Sequence, residues 1–164
     1  MKKQCLLLFC IILFFSNEVN ARHQRVFTTP SNGLVSIHAA VEQFEGIVGK
    51  EVALPTKLPF NPTHQFGEIK SDNSLELMYV NDKKLNNLFM IIIKPSKKEL
   101  SIQPGQIGKW IELKNGAKAI HKGIGEAYSI EFITSGLEYR LLITKDTDIP
   151  RKSKALLDAA NSLQ

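Results

Sequence analysis

The chain has 164 residues, a formal charge of +5 from 21 Lys and Arg against 16 Asp and Glu, and two cysteines. That is one domain's worth of chain, long enough to bury about two-thirds of its unfolded surface without a covalent staple. Its lysines are scattered and carry no aromatic-interleaved basic motif, which excludes nucleic acid as a partner and leaves electrostatic association with an anionic cell envelope.

The chain opens on Lys2 and Lys3, followed by the apolar run Leu6 to Phe15. A helix of that length spans about 15 Å, whereas crossing a bilayer takes about 20 apolar residues. With Val19-Asn20-Ala21 downstream, residues 1–21 read as a signal peptide cut between Ala21 and Arg22. Cys10 follows Phe9, not the small residue that a lipid-attachment site needs. Both cysteines leave with the leader, so the mature chain holds no disulfide, no Cys-based zinc site and no Cys nucleophile. Export without disulfides is more typical of Gram-positive bacteria than of eukaryotic secretion. No spanning membrane helix is expected after processing.

Residues 22–33, "RHQRVFTTPSNG", are a polar, turn-rich lead-in. Leu34, Ile37, Val41 and Phe44 then recur at helical spacing, which predicts an amphipathic helix over about 33–46, capped by Ser31 or Asn32 and ended by Gly46 and Gly49. Pro55, Pro59 and Pro62 forbid helix over the next segment, so Leu54, Leu58 and Phe60 are expected to lie extended across apolar surface. Strands are predicted at 66–70, at "LELMYV" (75–80) by alternation, and at "LFMIII" (88–93), whose unbroken apolar run suits a central strand covered on both faces. "LSIQ" is a candidate short strand. Asn115-Gly116 predicts a two-residue hairpin turn within 109–122, pairing Ile111 with Ile120 and Trp110 with His121. "AYSIEFI" (127–133) and "LEYRLLIT" (137–144) alternate on either side of a Ser135-Gly136 turn. A terminal helix of about 12 residues follows, with Thr147 or Asp148 as cap, Pro150 in its first turn and an apolar stripe of Leu156, Ala159, Ala160 and Leu163.

Residues 34–164 therefore read as a single α+β domain: a curved antiparallel sheet of about six strands with an N-terminal and a C-terminal helix packed on one face.

Chemistry-bearing patterns are sparse. There is no Gly-x-Ser-x-Gly, and His23, His38, His64 and His121 fall in four separate segments rather than at metal-ligand spacing. "GIGEAY" lacks the Gly-Lys-Ser/Thr of a phosphate loop and precedes a strand, not a helix. No cofactor, metal site or catalytic residue is expected. Glu76, Glu112 and Glu131 on predicted strands leave a hydrolase of cell-envelope polymers as the alternative. Phe89, Trp110, Tyr128 and Tyr139 are the candidate lining of a ligand groove for a peptide, lipid or protein.

"ALPTKLPFNP", followed by "LELMYVN", "IELKNGAKAIH", "YSIEFITSGLEYRLLIT" and "LLDAANSL", resembles a bacterial domain family of unknown function. Its members form the extracytoplasmic part of some Gram-positive anti-sigma factors and also occur as free exported or lipid-anchored proteins. The resemblance spans about 34–163 and implies a curved antiparallel sheet with helices on one side. Its motifs are structural, so no catalytic residue is carried over. The reading is an exported, non-enzymatic binding or envelope-associated module.

Overall fold

Alternation of apolar and polar residues builds the sheet. The computed structural model describes residues 33–84, 87–124, 127–144 and 151–163, which fall within one compact unit, Ser31–Gln164. The signal peptide with its Ala21–Arg22 cut, nearly all of the lead-in, and the cap at Thr147, Asp148 and Pro150 lie outside the described residues.

The strands are β1 (His64–Ile69), β2 (Leu75–Asn81), β3 (Asn87–Pro95), β4 (Gly108–Glu112), β5 (Lys118–Ile124), β6 (Ala127–Thr134) and β7 (Leu137–Thr144). They form one open sheet of seven strands in the order β1-β2-β3-β7-β6-β5-β4, with every pairing antiparallel. The fold is thus α+β with one antiparallel sheet and two helices, and it has seven strands rather than six. "LSIQ" forms no strand, although Leu100 packs against the core.

Helix α1 (Ile37–Val48) starts later than its apolar spacing predicts. Val35 is held instead by β1: its N–H donates to Gly67 O and its carbonyl accepts from Gly67 N–H, both at 2.9 Å. Ser36, extended at φ −62°, caps the helix by accepting from the Ala39 N–H at 3.2 Å. Phe44 and Ala40 are fully buried on the face toward β1 and β2. Burying a phenylalanine contributes about 1.5–3 kcal/mol. Gly67 permits this approach, because a Cβ there would collide with the Ala40 side chain.

After α1 the proline-containing segment forms no helix, as its prolines predict, but it is not extended throughout: it bends at Thr56-Lys57 and again at Pro59-Phe60 as it crosses the core. The Val52 N–H donates to Glu45 Oε1 at 2.7 Å and the Ala53 N–H to the Tyr139 hydroxyl at 3.0 Å. Further on, the Thr56 and Lys57 N–H groups donate to the carbonyl and hydroxyl of Ser162. Leu54, Leu58 and Phe60 pack against the core. Helix α2 (Lys152–Ala160) buries Leu156, Ala159 and Ala160 over β6 and β7. One apolar cluster joins α1, α2 and alternate residues of the sheet: Leu75, Leu77 and Tyr79 of β2, Phe89, Ile91 and Ile93 of β3, and Leu137, Tyr139, Leu141 and Ile143 of β7.

The two hairpins differ. Ser135 (φ 50°) and Gly136 (φ 70°) close β6–β7 as a two-residue turn with both central residues left-handed. At Asn115-Gly116 only Gly116 (φ 81°) is left-handed. The Leu113 N–H donates to Ala117 O, the Gly116 N–H donates to Leu113 O, and Asn115 Oδ1 accepts from the Ala117 N–H. This is a three-residue loop with a bulge. It moves the register by one residue, so Trp110 pairs with Ile120, Ile111 with Ala119, and Lys109 with His121. A one-residue slip changes which side chains share a face.

Candidate functional site

The register decides where the four candidate groove residues lie, and it separates them. Phe89 and Tyr139 are core residues at 0% and 1% exposure, engaged by Tyr79 at 5.6 Å and by a parallel stack on Phe132 at 5.3 Å. Tyr128 packs against the same core and stacks on His121. Trp110 is 50% exposed and pairs with Ile120 on the opposite face of the sheet. These four do not line one groove. The bulged hairpin puts Trp110 on the side away from the others.

The face that the helices leave has its own order. One cross-strand row runs Phe66, Met78, Met90, Leu142, Ser129, Lys122 and Gly108, strand by strand from β1 to β4. The adjacent row runs Glu68, Glu76, Ile92, Arg140, Glu131, Ile120 and Trp110. Val80 and Leu88 flank the first row on its other side. Phe66, Met78, Val80, Leu88, Met90 and Leu142 thus form a continuous apolar field, and none belongs to the core cluster. All except Val80 are half-buried.

A charged cluster borders this field. Lys122 Nζ donates to Glu131 Oε2 at 2.7 Å, with both side chains nearly buried, at 8% and 4% exposure. Arg140 Nε lies 2.9 Å from Glu131 Oε1, but off the line of a hydrogen bond. Two cations thus share one carboxylate, while Asp72, Glu76 and Glu138 stand on the other side of Arg140. Ser129, fully buried between Lys122 and Leu142 in its row, has no hydrogen-bond partner for its hydroxyl among the described residues. Arg140 keeps 38% of its side chain exposed. It also borders a depression of about 190 Å³ whose lining includes Glu76, Ile92, Lys94 and Glu138. Lys94 pairs with Glu138 at 3.2 Å. At the β1 end, Lys70 sits between Glu68 (2.7 Å) and Glu76 (3.4 Å), and the Glu68 hydrogen bond, helped by Glu76, holds its ammonium above the usual lysine value.

The three glutamates considered for hydrolysis, Glu76, Glu112 and Glu131, share this face. Both oxygens of Glu131 are committed to cations, and Glu76 is tied to Lys70. Among the described residues no group of three or more His, Asp or Glu side chains could hold a metal ion. No helix among them is long and apolar enough to cross a membrane. His121, on the core side, has its pKa pushed down by burial and by Lys109 opposite it on β4.

The chain matches no protein-family model, no curated protein and no solved structure. The family resemblance therefore stands on the quoted segments alone.

Sequence reasoning missed the field because its residues occur in strands read for the other face. The available signal was the apolar character of off-phase positions: Met78 in "LELMYV", Met90 in "LFMIII" and Leu142 in "LEYRLLIT".

Proposed function

We propose that the protein is an exported, non-enzymatic binding module that takes an apolar ligand on the sheet face opposite its helices. In this reading the leader is cut between Ala21 and Arg22, and the domain works at or beyond the cell envelope. The sheet curves, with both helices on its core side. Membership of the exported family that the quoted segments resemble is part of the same proposal.

The carrying observation is the apolar field of Phe66, Met78, Val80, Leu88, Met90 and Leu142, which lies outside the core. An antiparallel sheet with one wet face normally shows polar residues there. Two of the six are methionines, whose flexible thioethers adapt to varied apolar shapes. The field spans three strand spacings and one two-residue step, about 14 by 7 Å between Cα positions. A stable protein interface buries about 800 Å² on each partner. That size favours a small ligand over a protein partner.

Titration of the mature domain with an environment-sensitive apolar dye tests this. The expected result is saturable binding that Leu142→Glu weakens about tenfold, because a charge on the field must be desolvated. Equal dye affinity in a normally melting Leu142→Glu variant contradicts the reading. N-terminal sequencing of exported material is expected to begin at Arg22; a start at Met1 contradicts the export step.

A further inference from the structure

We infer that the ligand of this face is a single-chain anionic amphiphile, held by its acid group at Arg140 and Ser129 with its alkyl chain laid across Leu142, Met90, Met78 and Phe66. The inference rests on the reading of the apolar field as a ligand surface, and names what occupies it.

Three features converge. The first is direction. The row from Ser129 to Phe66 crosses four strand spacings, about 19 Å, the reach of an extended long-chain acyl group. Polar residues stand at one end only: Ser129 and Lys122 on β6 and β5, then side chains that are apolar as far as the β1 edge.

The second is charge. Arg140 lies two residues from Leu142 on the same face, at the border between the two rows. Its only ion pair among the described residues runs through Nε to Glu131. The terminal amino groups remain as a fork of donors suited to a carboxylate or phosphate. Arg140 shares the Glu131 carboxylate with Lys122, so an anionic head at Arg140 meets a cation with only half a counter-charge from that pair. Asp72, Glu76 and Glu138 line the depression on its other side and confine the head to the Ser129 side.

The third is the orphaned hydroxyl. Ser129 Oγ is fully buried beside Leu142 and has no partner among the described residues. An unmade hydrogen bond at a buried hydroxyl is costly. A head-group oxygen at the start of the track would satisfy it.

The width of the field matches one alkyl chain. Glu68 and Glu76, in the charged row, bound the apolar row on one side, with the Lys94–Glu138 pair beyond them. Val80 and Leu88 on its other side span only two strands, so a single apolar course runs the full way from Leu142 to Phe66.

The test is a head-group series on the unmodified mature domain, measured by dye displacement below micelle-forming concentrations: palmitate, cetyl alcohol and cetyltrimethylammonium. Palmitate is expected to bind about tenfold more tightly than the alcohol, as a charge-assisted hydrogen bond implies. The ammonium compound should bind most weakly. Arg140→Gln should weaken palmitate far more than the alcohol and so abolish the preference, and Arg140→Lys should restore part of it. Equal affinity for palmitate and alcohol, or a preference that survives in Arg140→Gln, overturns the head-group assignment. If Leu142→Glu still weakens both in that case, the apolar face stands without its acid site. If no probe in the series displaces the dye, the amphiphile is refuted, and the dye titration of Leu142→Glu alone then decides whether the face binds anything. Should Arg140→Gln fail to fold, the series on the unmodified domain decides by itself.

Discussion

The two faces of the sheet are made by the same strands and do different work. On one, alternate residues of β2, β3 and β7 are sealed by α1, α2 and the proline-containing segment, and Phe44, Ile91 and Leu141 have no exposed surface. On the other, the intervening residues form an apolar field beside a buried ion cluster, outside that core. Alternation alone cannot tell the two apart where both phases are apolar. What separates them is which helices and loops the chain has to lay over each.

If the helix-covered face holds the fold, truncating it should cost most. Phe44→Ala is expected to lose about 3–5 kcal/mol in urea unfolding, while Met90→Ala on the other face should lose about 1 kcal/mol or less. Similar losses from the two would erase the distinction between the faces.

Next in size comes the ion cluster. Glu131→Gln leaves the nearly buried Lys122 without its counter-charge and is expected to cost about 3 kcal/mol. Pairing it with Lys122→Met should recover much of that loss in the same unfolding assay. An additive double variant would mean that the pair is not coupled.

Gly67→Ala probes how α1 is seated. Its added methyl meets the Ala40 side chain, so α1 must shift from β1, at a cost of about 1–3 kcal/mol. A neutral result in thermal melting would show that the approach of α1 to β1 is looser than the structure has it.

The smallest effect is in pH. Burial and Lys109 depress the pKa of His121, so the unfolded chain binds a proton where the folded chain does not. Stability therefore rises with pH through that window and is lost as pH falls below the ordinary imidazole value of 6.5. His121→Gln should flatten this slope in melts between about pH 5 and 7.

Much of the fold was legible in sequence because local rules agreed with burial. The alternation of "LEYRLLIT", the Ser135-Gly136 turn, the exclusion of helix by the three prolines and the Leu156-Ala159-Ala160 stripe each appear in the structure as they read. The misreadings came from tertiary competition. Val35 is taken up by β1, so α1 begins at Ile37 and Ser36, not Ser31 or Asn32, caps it. Asn115-Gly116 marks a hairpin, but the dipeptide serves two loop lengths, and the bulged one turns Trp110 to the other face. The candidate groove was not legible at all. Four aromatic residues look alike in a sequence, while Phe89 and Tyr139 differ from Trp110 only in which face the register assigns them.

The most direct measurement uses the methionines. Outside the leader the chain has two, Met78 and Met90, and they are cross-strand neighbours in the middle of the apolar field. With methyl-labelled methionine in the mature domain, palmitate should shift both methyl resonances together in a saturable way, and Leu142→Glu should raise the palmitate needed for that shift about tenfold. If saturating palmitate binds and leaves both methyl signals where they were, the ligand sits elsewhere, and the face opposite the helices is not the binding surface.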